Sequence, residues 1–379
     1  MPFALTGARV FDGTRMTEGR AVVIEGERIL AVPPAADLGP GIERREVEGI
    51  IAPGFIDVQV NGGGGVLFND TRTADGIRAI GEAHRRYGTT GFLPTFITDR
   101  RERMAEAVAA AREALAQGVP GALGIHLEGP FLNPERKGVH DPAFMRPVEE
   151  EDLILMSSLE QGRTLVTLAP EMVPPAAIAR LAQAGVLVSA GHTRASYETL
   201  AEARAQGLSG YTHLFNAMPP LANRDPGPVG AALDERESWC GLIVDFHHVA
   251  APVLRVALKA RGPERMMLVT DAMPSVGSDL ATFELLGKTV YRAEGRLTTA
   301  DGTLAGSDLD MASAVRNTIA ELGISLEDAL RMASLAPATY LRLDHELGRV
   351  AAGYRANLVL LDDDLQVQAT LIDGQDAHG

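Results

Sequence analysis

The chain has 379 residues, 46% hydrophobic and 22% charged, an ordinary globular composition with room for one large domain and one small one. A net charge of −15 and a pI near 5.1 repel nucleic acid and anionic membrane, so neither is expected as a partner, although a few local cations can still hold an anionic small molecule. The one cysteine, Cys240, excludes an internal disulfide and a thiolate metal cluster. It heads the apolar run Gly241 to Val244 and reads as a buried structural thiol. The stretch Met1 to Gly7 lacks the basic segment and apolar core of a signal peptide, and no run is long enough to span a bilayer. A cytoplasmic protein is expected.

Roughly the first 50 residues alternate short β-like runs with turns, as in Ala8-Arg9-Val10-Phe11 and Ala21-Val22-Val23-Ile24. The end of the chain reads the same way, as in Leu358 to Leu361 and Ala369 to Ile372. Neither end can hold a core alone, so one small β-sandwich built from both termini, residues 1–51 plus 346–379, is expected. Between them, strand candidates fall at 54–59, 91–96, 123–128, 164–168, 186–191, 210–213, 241–245 and 266–271. Helical stretches intervene at Ala79 to Tyr87, Met104 to Ala116 and Tyr197 to Gln206. Eight strand–helix units over residues 52–345 predict an α/β fold, a (β/α)8 TIM barrel. An open doubly wound sheet is the alternative, and the count of eight argues against it. Residues 282–306 break the rhythm and read as hairpins leaving the catalytic end of the barrel, either lining or covering the site or serving as a structural elaboration.

Glu128, His192, His213 and Asp271 each close a different apolar run. In a parallel barrel such ends share one mouth. One carboxylate and two imidazoles make three ligands for a divalent ion with a position left for water. Asp271, in Val269-Thr270-Asp271-Ala272, suits a base that takes a proton from water and returns it to a leaving nitrogen. Its rival role, capping a helix, is disfavoured by Pro274 and Gly277. Gln59 and Asn61 stand where two histidines would feed a second metal, and neutral amides bind divalent ions poorly. One metal is therefore expected, with Gln59 and Asn61 beside it or in a vacant second site. His140, in a loop, is a candidate to donate to a carbonyl oxygen as charge builds there. Arg224 and His248 are candidates for an anionic group. His84, beside Arg85 and Arg86, is expected to be exposed, and His126, two residues before Glu128, to point into the barrel. His247 is expected to face away, and His345 and His378 belong to the closing segment.

The strings Pro53-Gly54-Phe55-Ile56-Asp57, His126-Leu127-Glu128-Gly129-Pro130-Phe131, Gly191-His192-Thr193, His213-Leu214-Phe215-Asn216-Ala217-Met218 and Thr270-Asp271-Ala272 together resemble the N-acetylglucosamine-6-phosphate deacetylase family of the amidohydrolase superfamily. The likeness extends to Leu304-Ala305-Gly306-Ser307 and Ala333 to Ala338. It implies Glu128, His192 and His213 as metal ligands, Asp271 as acid and base, and His140 on the acetyl carbonyl. It also implies Asn216, Ala217, Val139, Leu304, Ala305 and Gly306 against a phosphosugar substrate, with Arg224 and His248 at the phosphate. One divalent ion per subunit is implied, Zn2+ first, with Fe2+ or another divalent ion permitted by the same ligand types. A neighbouring subunit is implied at the phosphate, hence a homodimer or homotetramer. The expected reaction is hydrolysis of N-acetyl-D-glucosamine 6-phosphate to D-glucosamine 6-phosphate and acetate. The rivals are a deacetylase of the galactosamine epimer, a cyclic-amide or N-acyl-amino-acid hydrolase on the same barrel, and a catalytically inactive barrel-shaped binding protein.

Overall fold

The computed structural model describes residues 1–376, so His378 lies outside the described residues. Eight parallel strands run in sequence order around one sheet: Phe55–Val60, Thr89–Ile97, Gly124–Glu128, Arg163–Leu168, Leu187–Ala190, Leu208–Tyr211, Trp239–Leu242 and Met266–Leu268. All residues of the first three are buried, which is why those runs are almost continuously apolar rather than alternating. The ring closes between the first strand and the segment after the eighth. Asp271 N donates to Gln59 O at 2.9 Å, Asn61 N donates to Ala272 O at 2.9 Å, and Val60 bridges Ala272 in parallel. The molecule is thus the expected (β/α)8 barrel.

The pairing stops earlier than the apolar runs suggest. The fifth, sixth and eighth strands end at Ala190, Tyr211 and Leu268, not at 191, 213 and 271. His192, His213 and Asp271 have φ of 50°, 32° and 56°, a left-handed backbone that no ladder accommodates. The chain leaves each strand and turns at the residue that carries the functional group.

Helices cover the barrel, among them Ala74–Arg85, Arg101–Ala116 and Tyr197–Ala205. Side chains cap several of them: Thr73 accepts from Gly76 N and Ser196 from Thr199 N, satisfying amides that helix geometry leaves unpaired. His84 is buried, contrary to the exposed position expected beside two arginines. It lies four residues after Ile80 and seven after Ile77, on the apolar stripe of the helix, and that spacing outweighs its neighbours in sequence. Its Nε2 donates to Gly62 O at 2.9 Å. Cys240 is buried and free, and burial pushes its thiol up to about 12, the behaviour of an inert core residue.

Both termini contribute to a pair of sheets. One has four strands, from Phe3–Thr6, Val22–Glu25, Arg28–Ala31 and Glu43–Glu46; the other has six and pairs Ile50–Pro53 with Leu358–Leu361. Phe3, Leu5 and Ile24 of the first meet Val10, Ile51 and Leu358 of the second in one apolar cluster, the packing of a β-sandwich. After the eighth strand, Thr282–Leu285, Lys288–Ala293 and Arg296–Thr299 form an antiparallel sheet. Its Leu285, Val290 and Leu297 pack on Ile97 and Met273 at the barrel mouth.

Candidate metal and catalytic centre

The carboxyl ends of the strands bound a cavity of about 430 Å3. Glu128, His192, His213, Asp271, Asn61 and His140 all line it, so side chains up to 210 positions apart in sequence meet in one place. Val139, Asn216, Ala217, His248, Leu304 and Gly306 line the same cavity. Arg224 is exposed and does not line it. Ala305 is fully buried behind the wall. Gln59 lies beneath, its amide reaching up to the carboxylates.

Three atoms form a near-equilateral triangle. Glu128 Oε1, His192 Nε2 and His213 Nε2 are separated pairwise by 3.1 Å. His192 Nδ1 lies 2.8 Å from the Arg136 carbonyl oxygen, which can only accept, so the ring proton sits on Nδ1 and Nε2 presents a lone pair. That lone pair faces a carboxylate oxygen and a second imidazole nitrogen, all three buried. A proton on His213 Nε2 relieves part of the repulsion, whereas a cation at the centre satisfies all three donors. Ligands at about 2.0–2.1 Å in tetrahedral directions stand about 3.3 Å apart, close to the spacing found. The residues therefore fit a divalent ion. One donor atom each of Glu128, His140 and His192 also lies within 4.8 Å of the others, a looser set. His140 Nδ1 is already engaged with Thr98 Oγ1 at 2.8 Å, so the tighter triangle with His213 is the better cradle.

Charge follows the same geometry. Burial pushes Glu128 up, but the His192 and His213 contacts hold its carboxyl well below the usual range. Burial lowers His140 to about 3 and His126 to about 4, leaving both imidazoles neutral. His126 lies in the barrel core between Thr95 and Thr167, at 3.2 and 2.7 Å. Burial and the Glu128 charge push Asp271 up to about 6, against the opposing effects of His213 and Asn61. A carboxyl brought towards neutrality is suited to both accepting and returning a proton.

Gln59 and Asn61 have a definite position. Asn61 Nδ2 donates to Asp271 Oδ1 at 2.7 Å and Gln59 Nε2 to the same oxygen at 3.1 Å. Gln59 Nε2 also lies 3.3 Å from both Glu128 oxygens. The two amides thus place N–H dipoles between carboxylates that would otherwise repel. Sequence reasoning missed Thr98, Met273, Thr303 and Arg296, the last three on the cavity wall. For Arg296 and Thr303 the local sequence carries no signal of which hairpin face meets the barrel.

Residues 50–376 match the family model described as the amidohydrolase family, and residues 2–51 match one described as the NagA composite domain. The chain belongs to the amidohydrolase family. It is 41% identical to an N-acetylgalactosamine-6-phosphate deacetylase of Shewanella sp. (strain ANA-3), over 97% of this chain and 94% of the relative. It is 36% identical to an N-acetylglucosamine-6-phosphate deacetylase of Haemophilus influenzae, over 99% of both chains. A crystal structure of N-acetylglucosamine-6-phosphate deacetylase from Pasteurella multocida superposes with a TM-score of 0.96 at 36% identity, covering 99% of each chain. These relatives bear out the resemblance drawn from the motifs.

Proposed function

We propose that the protein hydrolyses the N-acetyl group of N-acetyl-D-glucosamine 6-phosphate, giving D-glucosamine 6-phosphate and acetate. The observation that carries this reading is the convergence of the Glu128–His192–His213 triangle and Asp271 on one cavity, in a chain alike over nearly its whole length to deacetylases of phosphorylated amino sugars. The 41% identity to a galactosamine-6-phosphate deacetylase favours the epimer as a second substrate reading.

Glu128, His192 and His213 hold one divalent ion in this reading, zinc first, with iron(II) or another ion allowed by the nitrogen and oxygen donors. Once bound, the ion supplies Lewis-acid polarisation of the acetyl carbonyl and acidification of water. Asp271 takes a proton from the attacking water. Its Oδ1 is occupied by the Asn61 and Gln59 amides, so Oδ2 is the oxygen that exchanges the proton. With His140 Nδ1 engaged by Thr98, Nε2 faces the acetyl oxygen and stabilises the charge that gathers there. Asp271 then returns the proton to the departing nitrogen, which leaves as the amine. Val139, Asn216, Ala217, Leu304 and Gly306 shape the sugar pocket, with Ala305 supporting its wall from behind. His248 stands towards the phosphate. Arg224, outside the cavity of its own subunit, takes part from a neighbouring subunit in a homodimer or homotetramer.

The reading also divides the chain into a small sandwich, 1–51 with 346–379, and a barrel, 52–345; the pairing of Ile50–Pro53 with Leu358–Leu361 supports the split. No described helix is long and apolar enough to cross a membrane, and we place the protein in the cytoplasm. Measuring kcat/KM for acetate release from the glucosamine and galactosamine epimers tests the assignment. Turnover of neither contradicts it.

A further inference from the structure

The cavity has a cation that neither the motifs nor the reading above assigns. Arg296 opens the third strand of the sheet that follows the barrel, Arg296–Thr299, and it is the only lysine or arginine among the residues lining the cavity. Its guanidinium makes no ion pair among the described residues, whereas Arg292 on the adjoining strand is bound to Asp308 at 2.8 Å. Gly295, its chain neighbour, faces the His247 ring, with His248 next in sequence. Arg296 and His248 line the same cavity.

His248 offers an anion one ring nitrogen. Its Nδ1 lies 2.6 Å from Asp245 Oδ2 and donates there, so Nε2 alone is left to face the cavity. Burial pushes Asp245 up, and the His248 contacts more than offset it, so the carboxylate that holds the ring stays charged. Arg224 is outside this cavity. A phosphate entering beside His248 thus meets one free guanidinium of its own subunit, the group whose two parallel N–H donors match phosphate oxygens.

We propose that Arg296 is a phosphate-binding, specificity-determining residue that acts within its own subunit. This rests on the functional reading above and adds a contact to it. Arg296 is exposed, so its replacement leaves the core intact. The test is steady-state kinetics of the metal-loaded enzyme on N-acetylglucosamine with and without the 6-phosphate, for the native protein, Arg296→Gln, Arg296→Lys and Arg224→Gln. The expected result is a KM for the phosphorylated sugar raised roughly 10- to 100-fold in Arg296→Gln, as loss of a charge-assisted hydrogen-bond pair implies. Its kcat should fall little, its kcat/KM for the unphosphorylated sugar should not change, and Arg296→Lys should recover part of the loss. Equal losses on both sugars, or an undiminished preference for the phosphate in Arg296→Gln, overturn the Arg296 assignment alone, and an undiminished preference there with a collapse in Arg224→Gln transfers the role to Arg224. A native enzyme indifferent to the 6-phosphate overturns the functional reading itself.

Discussion

Asn61 Nδ2 donates to Asp271 Oδ1 at 2.7 Å, tying the end of the first barrel strand to the carboxylate that follows the eighth. Gln59 reinforces the tie from below. Removing the donor in Asn61→Ala leaves Asp271 Oδ1 held by the longer Gln59 contact alone. The expected outcome is a kcat lower by about 10- to 100-fold with metal content unchanged, given the usual value of a charge-assisted hydrogen bond. Elemental analysis and turnover of the same sample check both halves.

The amides are also the basis for proposing a single ion. Gln59 reaches Glu128 and Asp271 within 3.3 Å, so imidazoles at 59 and 61 would stand over two carboxylates. The double variant Gln59→His/Asn61→His should bind two divalent ions per subunit where the native chain binds one. An unchanged stoichiometry by elemental analysis contradicts this account of the amides.

Mutation should separate the proposed ligand and proton-transfer roles. His192→Ala breaks the donor triangle and should lose the ion, seen as loss of bound metal after dialysis. Asp271→Asn keeps the triangle and should retain metal while kcat falls about 10^2- to 10^4-fold, the usual range for general acid–base catalysis. A fully metal-loaded His192→Ala protein removes His192 from the ligand set.

Acid stability has a separate source. Asp152, with a fully buried side chain, accepts from Arg101 Nε at 2.7 Å and from Arg146 Nη2 at 2.6 Å. Burial pushes its carboxyl up, but Arg146 and Arg101 bring it from 3.8 down to about 2. A depressed folded-state pKa stabilises the fold above the unfolded value, and that stabilisation is lost as pH falls from about 4 to about 2. Asp152→Asn should cost on the order of 1–2 kcal/mol at pH 7 and next to nothing near pH 2. Urea denaturation at several pH values measures the difference.

Inside the barrel, packing leaves no slack at Gly210. A Cβ there would stand 2.5 Å from the Tyr340 hydroxyl and 3.0 Å from Ser189 Oγ. Gly210→Ala should destabilise the protein by about 1–3 kcal/mol through overpacking. Thermal melts of the metal-loaded protein check this.

Much of this architecture was legible in the residues. Continuous apolar runs bounded by turns marked all eight strands, because strands buried on both faces need no polar alternation. Glu128, His192, His213 and Asp271 stood out by ending such runs. The end positions were not legible: positive φ at His192, His213 and Asp271 is set by the need to turn each side chain into the mouth, which apolar patterning does not encode. His84 misled through its charged neighbours, although its spacing from Ile77 and Ile80 carried the right answer. Arg296 could not be found, because the face a surface hairpin turns to the barrel depends on how Leu285, Val290 and Leu297 seat on Ile97 and Met273.

On the proposed reading, one ion held by Glu128, His192 and His213 works with Asp271 to hydrolyse an N-acetylated sugar phosphate. Acetate release from N-acetylglucosamine 6-phosphate, followed through removal of the metal by chelation and its return, tests this most directly. Turnover should disappear on removal and return fully at one equivalent of divalent ion per subunit. Undiminished turnover by the metal-free protein would contradict it.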